Sequence, residues 1–299
     1  MISCSTLAAF GAEISLWTEW SWTPGIVLPL VLGALMYGAG LARMATLPRA
    51  AGLTWKEPLF FASGWLALFM ALLSPIHELG EQLFWVHMTQ HEVLVLVCAP
   101  LLVLGHPLRI SLWALPAPLR KFVGRAVNAK NFADAWRLIS TPVSTWTLHA
   151  TAMLVWHIPA LFDATVTNPF VHAAQHVSFL GTGLLFWWTA LKPHSSSVGY
   201  GVRSLFVFTT AVYTSLLGAI LTFSQHTWYA PYADTAPLWH LSALEDQQLG
   251  GLIMWVPGGT VLFAMTLLMV VRWMRESEVR TRLTSVALLL GKTTVPHED

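Results

Sequence analysis

A chain of 299 residues with 55% hydrophobic and only 10% charged side chains is excluded from the ordinary soluble domains, in which roughly 25% of residues are charged. One helical span takes about 20 apolar residues, so the length admits roughly six to eight spans joined by short loops. The formal net charge of +1 carries little information, because in a membrane protein the distribution of charge decides orientation and its sum does not.

The chain begins without a basic segment, its first Lys or Arg being Arg43, so no cleavable signal peptide is expected. Seven apolar runs follow, at 24–41, 58–76, 83–104, 141–161, 170–191, 204–223 and 249–271. Proline or charge punctuates most of their ends, as at Glu57, Pro58, Pro107, Pro142 and Pro169. Between the third and fourth runs, basic residues from Arg109 to Arg137 alternate with Trp113, Leu115, Phe122, Val123 and Trp136. That pattern suits an amphipathic helix lying on the inner leaflet.

Every one of the 16 basic residues falls in a loop on the same side of this seven-span arrangement. Arg43, Arg49 and Lys56 follow the first run, and Arg109, Arg120, Lys121, Arg125, Lys130 and Arg137 the third. Lys192 and Arg203 follow the fifth; Arg272, Arg275, Arg280, Arg282 and Lys292 follow the seventh. The opposite loops hold Glu13, Glu19, Glu78, Glu81, Asp163, Asp234, Glu245 and Asp246 with no Lys or Arg. Cytoplasmic loops carry the excess of Lys and Arg. The expected fold is therefore all-α, a polytopic membrane helical bundle of seven transmembrane helices with its N-terminus outside and its C-terminus inside. It divides into an outer segment, 1–23, a seven-span domain, 24–273, and a cytoplasmic tail, 274–299. Tryptophans such as Trp17, Trp20, Trp22, Trp85, Trp228 and Trp239 on the outer side, and Trp113, Trp188 and Trp273 on the inner, fit interfacial belts.

Nine of the 12 histidines belong to the outer half of this topology; His106, His194 and His297 do not. Two pentapeptides match: His87-Met88-Thr89-Gln90-His91 at the outer start of the third span and His172-Ala173-Ala174-Gln175-His176 at that of the fifth. Residues i and i+4 share a helical face with Cβ atoms about 5–6 Å apart, so each pair aims two imidazoles at one point. His157 ends the fourth span at the same level, with His149 about two turns deeper. Imidazole suits copper, zinc, iron and nickel, and a nearby thioether from Met88 or Met254 favours Cu(I). The plain alternative is interhelical hydrogen bonding, the expected role of His77, His226 and His240, which lack an i,i+4 partner.

Other polar residues in the spans divide between the two readings. Glu92 is an intramembrane carboxylate, rotated about 100° from His91, which suits a partner to a ligand better than a ligand. Cys98 reads as a small packed hydrophobe. Neither it nor Cys4 has the spacing of a disulfide framework or thiolate clip. Asp246 is placed to cap the seventh span, and Pro257-Gly258-Gly259 to kink it. Alternatively, Asp246, Gln247 and Met254 line the pocket of the histidines.

Four blocks resemble the CtaG-type cytochrome c oxidase assembly factors associated with caa3-type oxidases. They are His87 to His91 leading into Pro100-Leu101-Leu102-Val103-Leu104-Gly105; Trp156-His157-Ile158-Pro159-Ala160-Leu161-Phe162-Asp163; His172 to His176 leading into Phe186-Trp187-Trp188; and Asp246-Gln247-Gln248 leading into Met254-Trp255-Val256-Pro257-Gly258. The resemblance implies a seven-span protein of the bacterial plasma (inner) membrane that helps make a haem-copper oxidase, with the oxidase subunits as partners alongside membrane lipids. It also implies copper, bound or delivered at a site facing the periplasmic side, with His87, His91, His172, His176, His157, Asp246 and Met88 as metal residues. Gln175 stands where this family often carries an acidic residue, so no carboxylate ligand is implied there.

Two other readings compete: a membrane protein with haem held between one histidine of each pair, and a scaffold for nascent oxidase subunits that holds no cofactor. A retinal protein is disfavoured because no lysine lies within a span. Nothing in the sequence points to nucleic acid, and no catalytic motif points to an enzyme.

Overall fold

The computed structural model describes residues 20–47, 52–191 and 199–292. Cys4, Glu13, Trp17, Glu19, Arg49, Lys192, His194 and His297 lie outside the described residues, as does most of the outer segment 1–23. The described residues are all-helical and contain no strand.

Among the described residues, five helices are long and apolar enough to cross a membrane: α1 (Pro24–Ala45), α2 (Lys56–Leu73), α4 (Phe84–Leu104), α11 (Tyr200–Phe223) and α12 (Ala243–Lys292). The chain is a multi-pass membrane protein. Two expected spans differ from these five. The fourth run forms α8 (Pro142–Trp156), only 15 residues long, because the chain breaks at His157 and restarts as α9 (Pro159–Thr167) with Pro159 in its first turn. The fifth forms α10 (Pro169–Leu191), 23 residues long, but His172, Gln175, His176 and Ser178 make it less apolar than the five.

The second run also ends early. Ser74 closes α2, and its hydroxyl accepts from the Ile76 N–H to begin a separate short helix, α3 (Pro75–Gly80). On the opposite end of the bundle, α5 (Pro107–Ser111), α6 (Ala117–Val127) and α7 (Lys130–Ile139) follow α4. α6 and α7 bury no residue fully; Trp136 meets Trp188 of α10, while Phe122 and Phe132 stay exposed, as expected of amphipathic helices. Here Arg109 donates to Glu57 at 2.6 Å, and Arg43 donates to the carbonyls of Trp113, Ala114 and Leu115.

Two helices widen where proline enters them. Proline has no N–H, and its ring opposes the carbonyl four residues back. In α4 the wide π-type turns cover Val93–Cys98, just ahead of Pro100; in α12 they cover Met254–Gly258, around Pro257. The expected kink at Pro257-Gly258-Gly259 is therefore a local widening, and the helix continues to Lys292. Such widening leaves carbonyls without their usual partner. In α4 one of them, Val95, accepts from the Trp187 indole of α10 at 2.7 Å. That bond ties the two histidine-bearing helices together.

At the histidine-bearing end of the bundle α12 packs closely against α11. Gly251 and Gly218 let α12 and α11 approach so closely that a Cβ on either would stand within 2.8 Å of the other's carbonyl oxygen. Cys98 is wholly buried among Leu30, Tyr37, Phe61, Leu94 and Leu102, a packing role.

Candidate metal centre

Asp246 positions the first histidine pair, and in a way the sequence did not suggest. The cap of α12 comes from Ser242 and Glu245, which bond each other's backbone N–H groups. Asp246 instead reaches across to α4, where its two oxygens accept from the N–H of Phe84 (2.7 Å) and Trp85 (3.0 Å). Helix starts leave N–H groups without partners, and a carboxylate there also meets the positive end of the helix dipole. Asp246 therefore holds the helix that carries His87 and His91, and both its oxygens are engaged in doing so. Gln247 is engaged likewise, accepting from Trp228 N–H and donating to the His226 carbonyl.

The four histidines of the two pentapeptides come together. Ring centroids lie 4.4 Å apart for His87 and His91, 4.3 Å for His172 and His176, 5.1 Å for His87 and His172, and 5.3 Å for His91 and His176. A fifth ring joins them: His77 of α3 stacks on His172 at 5.2 Å. The sequence expectation for His77 was an interhelical hydrogen bond, which it makes with Gln90 of α4; its place in the cluster was not expected. No spacing marks His77, because the break at Ser74 and the turn of α3 bring it over the site. Burial holds its pKa below the ordinary imidazole value, against a smaller opposing influence of Glu78, and its Nδ1 lies 3.1 Å from the Nε2 of Gln90, which also donates to the Ala71 carbonyl.

Two overlapping triads have one ligand nitrogen from each member within 4.8 Å of the others: His77, His172 and His176; and His87, His91 and His176. His87 is the best oriented. Its Nδ1 lies 3.3 Å from the Gly80 carbonyl and 3.3 Å from the Tyr232 hydroxyl, which itself donates to Gly80. With the proton on Nδ1, the lone pair sits on Nε2, facing the cluster, the arrangement by which outer partners orient metal-binding histidines. Gln175 lies 3.2 Å from that Nε2 through Oε1, and its buried NH2 has no partner. Turning the amide over would present a donor to the lone pair, since amide orientation follows the hydrogen-bond network.

The other rings carry unmet demand. His172 Nε2, His176 Nε2 and both nitrogens of His91 are buried without a hydrogen-bond partner. Buried polar atoms are almost always paired, so several orphaned imidazole nitrogens converging on one point fit a cation. The remaining expected residues stand elsewhere. Met88 and Met254 line a cavity beneath the five-ring cluster, together with its member His91 and with Glu92, His149 and His157. His157 is fixed there by its Nδ1 donating to the Met153 carbonyl at 2.6 Å. Glu92 also faces that cavity rather than a histidine nitrogen.

The description "Cytochrome c oxidase caa3 assembly factor" covers residues 35–276 of this sequence. The chain belongs to that family. The match runs through both pentapeptides, His77, His157 and the Asp246 cap. Two uncharacterized proteins, from Mycobacterium bovis and Mycobacterium tuberculosis, are each 27% identical over 271 residues, 87% of this chain and 40% of their own length. An uncharacterized protein of Mycobacterium leprae is 25% identical over 276 residues, 88% of this chain and 40% of its own length. The chain thus spans about 40% of the length of these curated relatives. No solved structure matches it.

Proposed function

We propose that this assembly factor receives copper at its outer histidine cluster and holds it for a haem-copper oxidase. The observation that carries this reading is the convergence of five imidazoles from three helices, with orphaned buried nitrogens in both triads. Imidazole sets of this kind suit copper, and the family supplies the oxidase. The gathering of three ligand nitrogens within 4.8 Å of one another in each triad favours an ion, which takes three or more imidazoles, over haem held between two. Copper is cargo in this reading, and the protein's part is to bind, orient and shield it.

The reading includes a topology. Seven spans, counting α8 with α9 and α10, put the basic loops inside and the histidine cluster at the outer face of the bacterial inner membrane. The gathering of Arg43, Glu57 and Arg109 at the end of the bundle away from the histidines supports it. An ion arriving from the periplasm then reaches the cluster without crossing the membrane. Oxidase subunits are the expected recipients.

Elemental analysis of the purified full chain after copper loading tests the site. Copper is expected to bind, and the equivalent held by the cluster to be lost when His87 and His176 are replaced together; metal-free protein after loading would overturn the reading. A Soret band in the visible spectrum would replace it with the haem alternative.

A further inference from the structure

We propose that the cavity beneath the histidine cluster is a second, softer site for a single Cu(I) ion, built from His91, His157 and the thioethers of Met88, Met153 and Met254. The inference rests on the reading of the outer cluster as a copper site and adds a station below it. All five residues line one enclosed space of about 20 Å³, about the room that one water-sized occupant needs. All five are buried, the two histidines at 5% exposure.

Unpaired ligand atoms point to an ion rather than to packing. His157 Nδ1 donates to the Met153 carbonyl, which leaves the lone pair on Nε2, and that atom is buried without a partner. His91 has neither nitrogen paired. Its ring serves both places: one nitrogen belongs to the triad with His87 and His176, and the ring also lines the cavity. Thr210 and Thr214, also on the wall, donate their hydroxyls to backbone carbonyls of their own helix.

The donor set selects the metal. Thioether sulfur is a soft, neutral ligand that favours Cu(I), whereas magnesium and calcium take oxygen donors and zinc takes Cys, His and carboxylate ligands. Glu92 supplies the one carboxylate on the wall and faces Gly258, where a Cβ would stand 2.7 Å from its Oε2. The two wide turns, Val93–Cys98 and Met254–Gly258, flank this level of the bundle. With one ion on His77, His172 and His176 and another in the cavity, His91 serves the deeper ion, and the triad of His87, His91 and His176 is the point of passage between them.

The test is anaerobic Cu(I) titration of the full chain in detergent against a chromogenic chelator, with X-ray absorption on the loaded protein. Wild type should take two equivalents and show sulfur scattering from one. The double variant M153L/M254L, a volume-conserving change with helicity checked by circular dichroism, should lose one equivalent and all sulfur scattering. H77A/H172A should lose the other and keep the sulfur signal. One equivalent with nitrogen scattering only, or two retained by M153L/M254L, overturns the deeper site and leaves the outer reading standing. One equivalent with sulfur scattering that H77A/H172A does not alter overturns the outer reading alone. No copper in any form overturns both.

Discussion

The two pentapeptides have the same spacing and different surroundings. On α4, His87 is oriented by the Gly80 carbonyl and bonded to Gln175, and the helix itself is held by Asp246. On α10, His172 and His176 keep their Nε2 atoms without partners in a regular helix. Helical periodicity puts each pair on one face, but it does not say which ring will be held and which will wait for an ion. One ring of the four, His87, is braced, while His91 on the same helix and both histidines of α10 keep unpaired nitrogens; under the copper reading that lets the site both position an ion and release it.

The comparison can be broken most directly at His91, whose ring reaches both the cluster and the cavity. His91→Ala should weaken copper binding by more than about 100-fold, beyond the 10- to 100-fold that loss of an outer partner typically costs; chelator competition reads the change, and retention of wild-type affinity would refute the shared role. Gln175→Leu removes the contact between the two pentapeptides and leaves every imidazole in place. A gain in affinity is expected, with unchanged helicity, because Gln175 occupies the His87 Nε2 that an ion would take. A loss would show that Gln175 positions His87 instead of competing for it.

Asp246→Ala should lower stability by about 2 kcal/mol, the upper range for a lost cap, because the N–H groups of Phe84 and Trp85 lose their acceptor. Thermal unfolding in detergent measures it, and copper affinity should fall in parallel if the cap sets the position of His87. Ser242→Ala removes the local cap of α12 and should cost about 1 kcal/mol without changing copper affinity. A variant at Ser242 that also lost copper would mean that the start of α12, and not Asp246 alone, sets the site.

Much of the helical pattern was legible because the membrane is a simple solvent: a long apolar run has few alternatives to a helix whose backbone satisfies itself. The runs at 24–41 and 204–223 lie within α1 and α11, and the run at 83–104 starts one residue before α4. The run at 141–161 concealed the break at His157, since Pro159 suits the first turn of a new helix as well as it punctuates an old one. The pairing of pentapeptides was legible because it depends on local spacing. Asp246 was misread for the opposite reason: capping of its own helix is the local expectation, and the bond actually made is to residues 162 and 161 positions away.

By itself, then, the sequence determined the helical class, the charge asymmetry of the loops and the two faces of paired histidines, all consequences of composition and of a period of 3.6. Only the tertiary structure decided that His77 joins the cluster, that Met88, Met254 and His157 belong to a cavity beneath it, and that Asp246 serves a neighbouring helix. Those outcomes depend on how widened helices and close glycine contacts bring distant segments together, and the packing of one helix against another is not encoded in the periodicity of either.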